Sequence, residues 1–156
     1  LDRPVSGIMV FAKTSKAASR LSDQIRQNKF HKTYLAVVQG TLPQKGKLED
    51  YLFKNKKENK SYVTTKEQGK YSCLEYKVIS TINNHSLVEI NLITGRSHQI
   101  RVQFSNRNHP LIGDSKYGHN PNNIDIALFA KSITFNHLTQ LFPMANHHRA
   151  TSFSYD

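Results

Sequence analysis

Residues 93–102 read Ile-Thr-Gly-Arg-Ser-His-Gln-Ile-Arg-Val, with Leu92 in front, so two arginines and a histidine stand inside an aliphatic frame. No other stretch constrains the fold as much. Leu92, Ile93, Ile100 and Val102 ask for a half-buried helix, and a guanidinium buried beside them without an anion is very costly. Arg101 should therefore meet a carboxylate or a phosphate, either of which its planar fork can grip through two bonds. The window holds no acidic residue of its own.

A chain of 156 residues suits one domain, long enough to bury roughly two thirds of its unfolded surface without disulfide staples. Cys73 is the single cysteine, which excludes an internal disulfide and a cysteine zinc site. No apolar run reaches about 18 residues and no signal-like segment is visible, so a cytoplasmic protein away from membranes is expected. Lys and Arg number 22 against 11 Asp and Glu, a formal charge of +11, which points to a polyanionic partner, nucleic acid first. The chain opens on Leu1-Asp2-Arg3-Pro4 without an initiator Met. It is expected to be a fragment lacking an upstream segment.

Along the chain, the apolar run Ile8 to Ala12 predicts a strand buried on both faces. Thr14 or Ser15 can cap a helix carrying Ala18, Leu21 and Ile25 at helical spacing. Tyr34 to Val38 reads as a second strand closed by Gly40. Residues 43–70, rich in lysine, predict short strands joined by basic loops. Cys73 to Ile79 and Leu87 to Ile93 predict two strands joined by a hairpin turn at Asn83-Asn84. A helix should start after Gly95 with Ser97 as its cap, and a final strand should lie near Ile126 to Phe135. The sum is an α+β fold: a mixed, mostly antiparallel sheet with flanking helices.

Taken singly, the candidate functional residues have ordinary explanations. Asp2 before Arg3-Pro4 suits a turn, and Tyr34 suits the start of a strand with its hydroxyl at the rim. The pair His147-His148 tempts a metal reading, but adjacent histidines rarely converge on one ion and no ligand cluster accompanies them. Residues 113–118, Gly-Asp-Ser-Lys-Tyr-Gly, lack the glycine spacing of a phosphate loop and read as a structural turn. The lysine-rich run at 54–60 reads as a solvated loop.

Read in order, these segments stop being independent. Residues 1–14 (LDRPVSGIMVFAKT), 32–40 (KTYLAVVQG), 92–118 with ITGRSHQIRV and HPLIGDSKYG, and 126–135 (IALFAKSITF) resemble the successive motifs of the RluA-like family of RNA pseudouridine synthases. The resemblance covers nearly the whole chain and implies a catalytic domain spanning residues 1–156. It implies isomerisation of a uridine within ribosomal or transfer RNA: the N1–C1′ bond breaks, the base turns, and C5 joins the sugar. It implies no cofactor and no metal, and a monomer is expected. By resemblance Asp2 is the catalytic group, Tyr34 stacks on the flipped base and helps remove the C5 proton, and Arg101 pairs with Asp2. Arg3, Arg96 and Gln99 are the candidate substrate-binding residues, with Ile100 and Leu128 as the apolar wall.

The physical chemistry agrees with those roles. A carboxylate working in an apolar cleft must stay ionised, and a neighbouring guanidinium lowers its pKa by about 1 to 3. Arg96 stands where it can meet phosphate or carbonyl groups. A base inside structured RNA must be flipped out to be reached, and an aromatic ring offers stacking of about 1 to 3 kcal/mol. There are departures from the family. Its His-Arg dipeptide ahead of Leu-Asp lies outside this chain, and that arginine is held to fill the gap left by the flipped base. Phe129 and Gln103 stand where histidines are common. Two rival readings remain at this point, a non-catalytic basic RNA-binding module and a metal-dependent nuclease, the latter without convergent ligands.

Overall fold

The computed structural model describes residues 2, 4–119, 122–137 and 150–154. Eight strands form one sheet: β1 (Ser6–Gly7), β2 (His31–Gln39), β3 (Lys45–Asn55), β4 (Lys60–Thr64), β5 (Lys70–Ile82), β6 (His85–Leu92), β7 (Leu128–Asn136) and β8 (Ala150–Ser154). The spatial order is β1-β7-β2-β6-β5-β3-β4, and β8 also pairs with β7. Only β1 and β7 run parallel; the other pairs are antiparallel. Two helices, α1 (Ser15–Arg26) and α2 (Gln99–Ser105), complete the described fold.

The alternation of side chains selects one face of the sheet for burial. Ala36 and Val38 of β2, Leu74, Tyr76 and Val78 of β5, and Val88, Ile90 and Leu92 of β6 all point to that face and are buried. Leu128 of β7, paired with Ala36, belongs to the same face, and Ile100 and Phe104 of α2 pack in the same core cluster together with Leu111 and Ile126. The residues between them on the strands, such as Glu75, Lys77, Glu89 and Asn91, line a polar depression on the opposite face. Asn83 and Asn84 both have positive φ, 49° and 60°, the geometry of the tight hairpin turn expected there. Asn is among the few residues that enter it at modest cost.

Thr14 caps α1, its hydroxyl accepting the backbone N–H of Ala17 at 3.1 Å. The side chain of Gln24 then locks the helix to the end of β7. It donates to the Asn136 carbonyl at 2.9 Å and accepts the Asn136 N–H at 2.7 Å. At the other end of the molecule Arg107 and Gln103 both reach Asp50 of β3, at 2.8 and 2.7 Å, and tie α2 to the sheet.

Five expectations need correction. Ile8 to Ala12 is not a buried strand: pairing with β7 stops at Gly7, Ile8 donates once more to Ala130, and Met9 and Phe11 are exposed. A strand buried on both faces needs neighbours and cover that the described residues do not supply here. Gly7 allows what pairing there is, because a Cβ at this position would lie 2.4 Å from the Ala130 carbonyl oxygen. Ser97 does not cap α2; the N-cap is His98, in the left-handed conformation and without a side-chain cap bond. That helix is also buried on every side from Gln99 to Phe104, where the pattern predicted a half-buried one. Finally, the strand at β7 is not the last, since β8 follows and shares its outer edge with β1. The basic stretch forms two strands, as expected, but β3 runs for 11 residues rather than as a short piece.

Candidate active site

A cleft of ≈ 340 Å³ opens where the first residues of the chain, the start of β2, the segment from Leu92 to Arg101 and Leu128 of β7 come together. Its chemistry is organised around Arg101. The guanidinium is buried, and two of its nitrogens grip one carboxylate: Nε donates to Asp114 Oδ2 at 2.8 Å and Nη2 to Oδ1 at 2.7 Å. Its remaining nitrogen, Nη1, donates to Asp2 Oδ2 at 3.2 Å. The two residues lie 99 positions apart in the chain. Arg101 thus bridges a fully buried acid and a cleft-facing one, whose side chain keeps a quarter of its surface in solvent.

The expected pairing of Arg101 with Asp2 is present, but it is not the arginine's main one. Asp114 is its principal partner. The loop at 113–118 is indeed a structural turn, and its work is to hold this acid: Oδ1 of Asp114 also accepts the backbone N–H groups of Lys116 and Tyr117 at 2.9 and 3.0 Å. Gly113, at φ 75°, lets the turn pass so close to Asp125 that a Cβ would meet its carbonyl at 2.1 Å. Burial pushes the Asp114 carboxyl up, but Arg101 and the two backbone donors outweigh it and hold the group below the usual carboxylate range. Burial likewise lowers Arg101, and its two carboxylates more than restore it.

Tyr34 lines the same cleft from β2, where it is paired with Ile90 on one side and Ala130 on the other. Burial first, and then the negative charge of Asp2, raise its phenol above the ordinary tyrosine range. The resting hydroxyl is therefore protonated. Ile100 and Leu128 both border the cleft, as an apolar wall must. Arg96 borders it too, but is exposed at the rim and donates through Nε to the Tyr71 carbonyl at 2.9 Å. Gln99 is at the cleft but is engaged within the chain: it accepts from Thr94 Oγ1 and from the Arg96 backbone, and donates to the Cys73 carbonyl. Arg3 lies outside the described residues, as do His147 and His148. Among the described residues, no group of three or more His, Cys, Asp or Glu is placed to hold a metal ion, and no helix is long and apolar enough to cross a membrane.

Three residues in the site escaped the pattern reading. For Asp114 the only signal was general: a buried arginine needs an acid, without the sequence saying which one. Lys32 stands two residues before Tyr34 and so shares its strand face. Its ammonium, pushed down by burial, has no hydrogen bond or ion pair among the described residues. His98 sits between Asp2 and Tyr117, with Nε2 3.8 Å from Asp2 Oδ1 and Nδ1 2.7 Å from the Tyr117 hydroxyl.

The family described as RNA pseudouridylate synthase matches residues 1–106 of this chain, a span that includes Asp2, Tyr34 and Arg101. The chain belongs to that family. Among the relatives of this synthase-family chain is the ribosomal large subunit pseudouridine synthase C of Buchnera aphidicola, 34% identical over 148 residues that cover 88% of the chain and 47% of the relative. The ribosomal large subunit pseudouridine synthase D of Neisseria meningitidis is 38% identical over 118 residues, covering 76% of the chain and 32% of that protein. The chain therefore spans less than half the length of either. In three dimensions it superposes on human RNA pseudouridylate synthase domain containing 1 with a TM-score of 0.73 at 20% identity, covering 93% of this chain and 62% of that one. At that identity the likeness speaks for the fold, which is that of the pseudouridylate synthase domain.

Proposed function

We propose that these 156 residues are the catalytic domain of a cytoplasmic, monomeric pseudouridine synthase that converts specific uridines in RNA without a cofactor. Ribosomal RNA is the first substrate class to test and transfer RNA the second. The observation that carries the reading is the convergence of the Asp2 carboxylate, the Arg101 guanidinium and the Tyr34 ring on one cleft from three distant parts of the chain. Membership in the family supports it, as do the names of the relatives and the basic charge of the chain.

In this reading a flipped uridine enters between Tyr34 and the Ile100–Leu128 wall, with Arg96 and Arg3 receiving its backbone. The Asp2 carboxylate, hydrogen-bonded to Arg101, faces the sugar as the N1–C1′ bond breaks. The base turns, C5 bonds to C1′, and the C5 proton leaves. The deciding assay is tritium release from RNA labelled at C5 of uridine: binding alone cannot exchange that hydrogen. Labelled RNA that is bound but releases no tritium would return the chain to the RNA-binding module.

Tyr34 is given two tasks, and one substitution separates them. Tyr34→Phe keeps the stacking ring and removes the hydroxyl, so RNA affinity is expected to hold within a few fold while turnover falls by about 10² or more. Unchanged single-turnover rates in Tyr34→Phe would leave the residue with stacking alone.

A further inference from the structure

We propose that His98 is a positioning residue for Asp2: the Tyr117 hydroxyl fixes its tautomer so that Nε2 carries the proton and presents it to Oδ1 of the carboxylate. The inference rests on the functional reading above, and deepens it by assigning an orienting group for the second carboxylate oxygen.

The proton count starts at the backbone. The N–H of Ser61 donates to the Tyr117 oxygen at 2.6 Å, which leaves the phenol proton free to be given elsewhere. The imidazole Nδ1 is 2.7 Å from the same oxygen and is its natural acceptor. An Nδ1 that accepts has no proton, so in a neutral ring the proton must be on Nε2. Nε2 is the nitrogen that faces Asp2 Oδ1, at 3.8 Å, while Arg101 occupies Oδ2. A small rotation of the carboxylate as substrate enters brings Oδ1 within hydrogen-bond reach. Burial lowers the imidazole's pKa, with Arg101, Lys116 and Lys54 adding to the effect and Asp2 opposing it, so the uncharged ring is the resting form.

The local backbone shows that this placement comes at a cost. His98 is the N-cap of α2, where a Ser, Asp or Asn would stabilise the helix through a side-chain bond. Instead it is held at φ 53° and ψ 22°, with no cap bond and its side chain turned to Tyr117 and Asp2. A bulky residue in that region persists where its surroundings over-determine it. Here the surroundings are clear: the Tyr117 ring meets the imidazole edge-on at 5.6 Å and is itself covered by the Arg101 guanidinium at 5.2 Å. The same arginine that bridges the two acids thus holds the tyrosine that orients the histidine.

The proton's position can be read directly by long-range nitrogen NMR of the imidazole in the resting protein, before RNA is added. The expected result is a pyrrole-like Nε2 and a pyridine-like Nδ1, lost to a tautomer mixture in Tyr117→Phe; a protonated Nδ1 overturns the proposal. The second arm is kinetic. The amide nitrogen of His98→Gln falls near the place of Nε2, whereas His98→Leu has no donor, and both strain the backbone alike. His98→Gln is expected to keep kcat within a few fold and His98→Leu to lose at least about tenfold with KM for RNA unchanged. Equal losses in the two variants would make the residue merely structural and overturn the proposal. Absence of synthase activity in the parent protein would sink the functional reading, and the tautomer measurement would still decide where the proton sits.

Discussion

Asp2→Asn is expected to abolish pseudouridine formation, with a loss of about a thousandfold or more in turnover, while the domain keeps its stability and RNA affinity changes by no more than a few fold. The substitution keeps the shape and a hydrogen-bond acceptor and removes the charge that the chemistry needs. It is benign for the fold because Arg101 does not depend on Asp2: two of its three bonds to acids go to Asp114, and the longest of the three, at 3.2 Å, goes to Asp2. Asp2 also keeps some of its side chain in solvent, so an amide there strands no buried charge. Thermal melting and tritium release measured side by side check both halves. Turnover within about tenfold of the parent would remove Asp2 from the chemistry. A large loss of melting temperature would show that the acid is structural.

The strands that pack into the core are legible because alternation and turn chemistry agree. Asn83-Asn84 announces its hairpin, Thr14 announces α1, and the aliphatic residues of β5 and β6 announce the buried face. What a local pattern cannot carry is cover. Ile8 to Ala12 reads as a buried strand by composition, yet Phe11 is 80% exposed because burial is decided by what lies across the sheet edge. The α2 start is misread for a related reason. Ser97 is a good cap by propensity, but its carbonyl accepts the Ser61 hydroxyl, and the helix begins one residue later on a histidine committed to Tyr117. For the site, the family resemblance points to Asp2, Tyr34 and Arg101, and the buried-charge argument requires an acid for Arg101 without saying which. Asp114 supplies it from within a turn, where an Asp is so common that its presence carries little information. Lys32 and His98 become visible only when the cleft assembles.

Arg101→Met is expected to destabilise the domain by about 3 to 5 kcal/mol, the cost of leaving a buried carboxylate without its cation. The stranded group is Asp114 rather than Asp2: its side chain has no solvent exposure, and among the described residues Arg101 supplies its only charged partner. Because Asp114 titrates below the usual carboxylate range in the folded protein, its contribution is complete above the unfolded value, near pH 4, and is lost as pH falls through the lower folded value. The stability gap between parent and Arg101→Met should therefore be widest near neutrality and close in acid. A second substitution separates fold from chemistry. Arg101→Met with Asp114→Asn removes both charges and keeps an oxygen for the Lys116 and Tyr117 N–H groups, so it should recover most of the lost stability. It should remain inactive, since Asp2 still has no guanidinium beside it. Denaturant unfolding of the three proteins across pH, with tritium release on each, makes the comparison. A double variant that regains turnover along with stability would show that Arg101 serves only the fold. A single variant losing less than about 1 kcal/mol would show that the buried pair is not what the geometry says it is.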